Sequence, residues 1–329
     1  MALVVVCGAI NWDTTCFVSH LPTAGEEVAC DQVAEVSGGT GANVAVAASR
    51  LLDSEQTAML GAVGQDRIGK AQIEILQQEG VSTEAVVKLK DTESGHAYIF
   101  VDRTGQNVIA SNLAANTNLG PQHIKSTTLG RVLDGCRCVA ITDPPMAIAE
   151  MLISVAHQRQ TPVLWDPGVL ASCGWDTLAP LAAKIYTLIL NETEAQQMFG
   201  TQEPDGIARS FDLRGEPSYV VLKQGARGAT LIDSSTARTI HIPALPLHSM
   251  GLHTVNTVGC GDVFVGAYAA GLAQGLEQSH ALLEASAAAG LNATRAETRG
   301  GPNHDDLVDV IRSAARFGFA LDQSWGSTN

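Results

Sequence analysis

The 329-residue sequence is short of positive charge: 20 Lys and Arg stand against 34 Asp and Glu, a formal net charge of -14, and no basic run occurs anywhere. Nucleic-acid binding draws on clustered Lys and Arg, so nucleic acid is not an expected partner, and any anionic ligand has to be met locally. Apolar runs of membrane-spanning length are also missing, and no membrane partner is expected. The opening "MALVVVCGAINWD" has neither the charged start nor the length of a secretory signal, since Asn11 and Asp13 follow closely; a cytoplasmic location is the expectation. The seven cysteines, at 7, 16, 30, 136, 138, 173 and 260, form no zinc-like spacing, and Cys136 with Cys138 is CxC rather than CxxC. They read as reduced, small buried hydrophobes. With no internal repeat, low-complexity tract or linker, one domain over residues 1–329 is expected, with a loose tail at "LDQSWGSTN".

What is present is an alternation. Short continuous apolar runs, "LVVVCGAI", "CVAIT", "PVLWD", "YTLILN" and "YVVLKQG", suit strands covered on both faces. Helix-like segments lie between them: "GANVAVAASRLL", "IGKAQIEILQQEG", "AIAEMLISVAHQRQ" and "ETEAQQMFG". Strand and helix in turn predict an α/β class with a doubly wound, mostly parallel central sheet flanked by helices, ligands sitting at the carboxyl ends of its strands. Two pieces break the rhythm, roughly 14–37 and 94–113, with turn chemistry at "PTAGE" and "RTGQN". They predict a small antiparallel sheet, either a lid over a cleft or a cover for a sheet edge.

The stretch "NTVGCGDVFVGAYAAGL" places Asp262 just after the glycine turn of Gly259, Cys260 and Gly261. A glycine turn opening a helix leaves N–H groups pointing outward and forms an anion site. A carboxylate there repels a phosphate, so Asp262 either caps the helix or accepts a proton from a hydroxyl attacking that phosphate. Gly266, Gly271 and Gly275 each cost about 1 kcal/mol in a helix interior, which points to close packing. A second cluster, "SGGTGAN", holds Gly39, Thr40 and Asn43, a tight turn or a binding loop. Asn11 and Asp13, two apart at a strand end, project from one face and suit neighbouring hydroxyls of a polyol.

"GAINWD", "GGTGAN", "GAVGQDRIG", "NETEAQQMFG", "LKQGARG" and "NTVGCGD" stand in the order and approximate spacing of the ribokinase-like carbohydrate kinases, the PfkB family, which the chain resembles from about Val4 to Ile311. The resemblance implies Asp262 as catalytic base and the amides of Gly259, Cys260 and Gly261 as the hole for the transferred phosphoryl group. It implies acceptor contacts from Asn11, Asp13, Gly39, Thr40 and Asn43 beneath the lid. Nucleotide contacts would come from Asn191, Lys223, Gly225, Gly228 and, on the adenine wall, Asn292. ATP and Mg²⁺ are the implied cofactors, Glu194 organising Mg²⁺ through water, with K⁺ a further candidate held near Asn256 and Val258. The implied reaction is transfer of the γ-phosphoryl group to a primary hydroxyl of a sugar. A nucleoside kinase, a phosphosugar kinase, for which Arg103 is the candidate lid cation, and a non-catalytic sugar-binding regulator are the alternatives. A homodimer through the lid is expected. Asn256 stands where the family pattern has aspartate, and Cys260 where alanine is usual; a thiolate at a helix N-terminus is an option for the latter.

Overall fold

The computed structural model describes residues 1–104, 106–211 and 217–321; Gly105 of the expected "RTGQN" turn and the tail from 322 lie outside the described residues. Fourteen strands are present among them: β1 Val4–Gly8, β2 Asn11–Val18, β3 Cys30–Gly38, β4 Thr57–Gly64, β5 Val81–Ser82, β6 Val86–Leu89, β7 Gly95–Val101, β8 Asn107–Asn112, β9 Cys138–Thr142, β10 Val163–Asp166, β11 Thr187–Asn191, β12 Tyr219–Lys223, β13 Ala229–Asp233 and β14 Arg238–Ile242. Ten of them make one sheet in the order β14-β13-β12-β11-β10-β9-β1-β4-β5, with β6 also paired to β4. Its pairings are parallel from β12 across to β5, and antiparallel only at β12–β13 and β13–β14. This is the doubly wound, mostly parallel α/β arrangement read from the alternation of apolar runs and helices.

The central strands are apolar throughout because both faces are covered. Along β1, Val4 and Val6 enter one core, shared with helices Thr40–Leu51, Cys260–Gln274 and Gln278–Asn292. Val5 and Cys7 enter the other, shared with helices Met146–Gln158 and Glu192–Phe199. Side chains alternate across a strand, so one valine-rich run feeds both layers. Glycine permits a close helix contact: a Cβ on Gly266 would lie 2.5 Å from Val44 O and 2.7 Å from Ala47 Cβ. Gly275 has a different role, since its φ of 90° makes it the left-handed C-cap of its helix.

The second sheet has the order β3-β2-β7-β8. Two antiparallel hairpins, β2–β3 and β7–β8, meet through a parallel β2–β7 pair. The first strand is shorter than its apolar run predicts. It ends at Gly8, and Asn11 and Asp13 open β2 in the small sheet instead of closing β1. Gly39, at φ 94°, explains the break: a Cβ there would meet Asn11 N at 2.5 Å and Ala9 O at 2.6 Å, so the turn before helix Thr40–Leu51 packs directly on the Ala9–Asn11 link. No helix among the described residues is long and apolar enough to cross a membrane.

Candidate active site

The carboxyl ends of the parallel strands gather polar and charged side chains. Asp143 follows β9, Asp166 ends β10, Asn191 ends β11 and Lys223 ends β12, while Cys260–Gln274 begins its helix beside them. Lys223 Nζ pairs with Asp166 Oδ2 at 2.5 Å, and both side chains are largely buried. The attraction of Asp166 and Glu194 outweighs burial and holds Lys223 above its usual range, so it is a cation throughout neutral pH.

Gly259 is the N-cap of helix Cys260–Gln274, at φ 78°, and a Cβ there would lie 2.3 Å from Thr298 O. Conformation and space both require glycine. Asp262 is the third residue of the helix and half-buried; it makes no capping bond, which removes the cap reading. Cys260 N reaches Thr257 O at 3.3 Å, while the amides of Gly259, Gly261 and Asp262 have no acceptor among the described residues. A Cβ on Gly261 would lie 3.8 Å from Lys223 Nζ. Unspent amides and an ammonium therefore share one concavity, which suits an anion.

Asp262 Oδ2 accepts from Asn43 Nδ2 at 2.8 Å. Burial pushes its carboxyl up to about 6; Asn43 and Lys223 pull the other way, and Asp166 and Asp143 add to the rise. Asn43 Oδ1 in turn accepts from Arg299 Nε at 2.8 Å. Arg299 also donates to Ser37 Oγ at 2.7 Å and to Gly38 O at 3.2 Å. Gly38 packs on Asp13, since a Cβ there would fall 2.0 Å from the Asp13 carboxylate. Burial raises Asp13, with Arg299 and His96 opposing. Asn11 Oδ1 accepts from Asn116 Nδ2 at 2.8 Å, and Asn116 also brackets Ile10 N and O. Asp13, Asn43 and Asp262 are thus joined through Gly38 and one guanidinium. Sequence reasoning passed over Arg299, Asn116, Asp143 and Asp166; the strand-end position of Asp166, directly after "PVLW", was the available signal for the last.

Asn191 caps helix Glu192–Phe199 through a reciprocal pair: Glu194 N donates to Asn191 Oδ1 at 2.9 Å and Asn191 N to Glu194 Oε2 at 2.8 Å. Burial, then Asp166, push Glu194 up to about 7, with Lys223 opposing. Among the described residues no three His, Cys, Asp or Glu side chains converge to cage a metal ion. Glu194 and Asp166, both near enough to raise Lys223, are the carboxylates that would hold an ion like Mg²⁺, which keeps several waters and takes one or two carboxylates plus phosphate oxygens.

Next to the anion concavity lies a cleft of about 650 Å³, of the size a nucleotide needs, with Gly225 and Gly228 on one side and Leu245, Pro246, Ala289 and Ala293 on the apolar side. Asn292 is not on that wall, where it was expected. It is fully buried and turns its amide to Val258 O at 3.3 Å and Cys260 Sγ at 3.4 Å, bracing the glycine turn. The Cys260 thiol is raised, not lowered, because burial outweighs the Asn292 contact, so no thiolate forms there at neutral pH. The side chain of Asn256 is spent on Ala296 O at 2.9 Å and Val258 N at 3.0 Å, and Val258 O already accepts from Asn292. Asn256 Oδ1 and Val258 O, the expected K⁺ positions, each accept one protein hydrogen bond. Arg103, the candidate lid cation, pairs with Asp31 at 3.2 Å on the surface.

The pfkB family carbohydrate kinase model matches residues 1–305. The chain belongs to the PfkB family of carbohydrate kinases. It is 30% identical over 276 residues to the ribokinase of Mus musculus, covering 82% of this chain and 81% of that protein. Among solved structures, Arabidopsis thaliana ribokinase complexed with ribose and ATP superposes with a TM-score of 0.83 at 26% identity, covering 94% of this chain and 99% of the other. A Burkholderia thailandensis nucleoside kinase in complex with inosine shares the fold, at TM-score 0.76, 20% identity and coverage of 98% and 99%.

Proposed function

We propose that this PfkB kinase transfers the γ-phosphoryl group of ATP to a primary hydroxyl of an uncharged sugar, with Asp262 as general base. The observation that carries the reading is the junction at the head of helix Cys260–Gln274: a raised carboxyl beside unspent amides and the Lys223 ammonium. A carboxyl near 6 is ionised at neutral pH yet basic enough to take a hydroxyl proton as the oxygen attacks. The amides of Gly259, Gly261 and Asp262, with Lys223, face the place where charge develops on the transferring group. Mg²⁺, when bound near Glu194 and Asp166, neutralises phosphate charge. Asn11 and Asp13, on one face of β2, hold the acceptor's other hydroxyls, and the small sheet excludes water so that the phosphoryl group meets sugar.

The state of the cations supports a neutral acceptor. Arg299 is committed to three protein acceptors, Lys223 to Asp166 and Arg103 to Asp31. Among the described residues, Arg299 and Arg103 are already paired and Lys223 lies beside the glycine turn, so a phosphosugar would meet Asp13 without one of these cations free to answer its phosphate. For a nucleoside, β2 offers two aromatics: Trp12 pairs in register with Ser37 and His96, on the face opposite Asn11 and Asp13, and Phe17 sits at the far end of the strand. ADP release measured across a panel of free sugars, phosphosugars and nucleosides tests the assignment. Turnover confined to phosphosugars or nucleosides overturns the acceptor class, and none at all overturns the kinase reading.

The small sheet exposes Val33, Val36, Tyr98, Val108 and Ile109 to solvent, with 45–56% of each surface open. Such a concentration of apolar surface on sheet strands is a pairing site, and we assign it to a second copy of the chain.

A further inference from the structure

We infer that Arg299 is the positioning residue of this site, locking the helix that orients the base to the root of the small sheet, so that seating the sheet over the cleft and aiming Asp262 are one event. The inference rests on the kinase reading for its catalytic consequence, but the coupling itself is geometric. One planar guanidinium reaches two separate units: Asn43 Oδ1 on helix Thr40–Leu51, and Ser37 Oγ and Gly38 O at the end of β3. Asn43 is the hydrogen-bond donor to Asp262, while Gly38 pairs in register with Asn11 and Ser37 with Trp12. The network extends further, because Ser37 Oγ donates to Gln72, whose amide donates to Asn11 O. Base and acceptor strand therefore share a hydrogen-bonded frame with Arg299 at its centre.

The guanidinium is itself fixed from behind. Arg50 donates to the backbone oxygens of Arg299 at 2.5 Å and Gly301 at 3.1 Å, and its other nitrogens grip Glu79 at 2.7 and 2.9 Å. Burial and the neighbouring Arg50 bring Arg299 down to about 10, with Glu79, Asp13 and Asp262 opposing, so it stays charged at neutral pH. A lysine cannot replace it, because a point charge lacks the fork that addresses three acceptors in different directions. The groups facing Asp262 are Asn43 from one helix, Lys223 from β12, Asp166 and Asp143 from the strand ends, Arg299 from the loop after helix Gln278–Asn292, and the Cys260 thiol on its own helix. Of these, only Arg299 also holds the small sheet.

The test compares Arg299→Gln, Arg299→Lys and Ser37→Ala in the full chain. In Arg299→Gln, kcat is expected to fall about 100-fold, the scale of a small misplacement of reacting groups. ATP affinity stays unchanged, ATP hydrolysis uncoupled from the acceptor rises, and the acid limb of kcat/KM moves to higher pH as a cation and an oriented donor leave Asp262. Arg299→Lys keeps the charge, so its acid limb stays while kcat falls. Ser37→Ala frees only the sheet and raises the acceptor KM more than it lowers kcat. Independently of turnover, amide hydrogen exchange at Cys30–Gly38 speeds up in Arg299→Gln. Wild-type exchange at that strand, or a kcat and acid limb in Arg299→Gln that superpose on the parent's, overturns the inference. A wild type inactive on every acceptor overturns the kinase reading instead, and the exchange result still decides the coupling.

Discussion

Replacing Asp262 with Asn should make the protein more stable as it disables it. The Asp262 carboxyl rises from 3.8 to about 6 on folding, chiefly through burial. Between those values the native state holds more protons than the unfolded chain, so stability falls as pH rises through the window. Once the group is fully ionised in both states, the native protein bears a penalty of about 3 kcal/mol. Asparagine removes the charge and keeps an oxygen for the Asn43 amide to donate to, so Asp262→Asn gains up to about 3 kcal/mol at pH 7.5. At pH 4.5 most of the native carboxyl is already protonated, and the gain shrinks to about 1 kcal/mol. Urea denaturation of parent and variant at both pH values reads the difference directly, and thermal unfolding at pH 7.5 should move up by several degrees, at roughly 2–4 °C per kcal/mol. Equal stability at pH 7.5, or a gap that widens on acidification, would show that Asp262 is not a desolvated carboxylate and would remove the physical basis for calling it a tuned base.

Three further outcomes are expected. Lys223→Met leaves Asp166 without its partner; breaking a largely buried pair costs about 3–5 kcal/mol, and losing the cation that lowers Asp262 moves the acid limb of kcat/KM above pH 6, whereas an unmoved limb argues that Lys223 does not act on the base. Gly266→Ala gains about 1 kcal/mol by helix propensity alone, yet the contact with Val44 O predicts a net loss of about 1–3 kcal/mol, so the sign of the change in denaturation midpoint decides between them. Val108→Glu with Ile109→Lys should convert a dimer to monomers in sedimentation velocity; a parent that is already monomeric rules out pairing through the small sheet.

The parts legible in the sequence are those fixed by local rules. Five valine- and leucine-rich runs became adjacent buried strands because a strand covered on both faces has no polar side to show. The turn at Gly259 was readable because a backbone at positive φ beside Thr298 leaves no choice but glycine. What escaped depends on distance along the chain. Arg299 meets Asn43 and Ser37 across more than 250 residues, and nothing around "ETRGG" marks which acceptors its fork will find. The resemblance puts Asn292 on the adenine wall, but the pitch of its helix turns it toward Cys260. Asn11 and Asp13 look like the end of β1 because "GAI" continues the apolar run; the close approach of Gly39 to that link sends the chain into a second sheet. The parallel β2–β7 pair is likewise invisible locally, since each hairpin alone is an ordinary antiparallel turn.

The most direct test of the central claim is the turnover of Asp262→Asn on an acceptor that the parent phosphorylates, with ATP binding measured in parallel. ATP affinity should be retained while kcat falls by about two to four orders of magnitude, the range for a positioned acid–base group. Turnover close to the parent's, with nucleotide still bound, would contradict the assignment of Asp262 as the base.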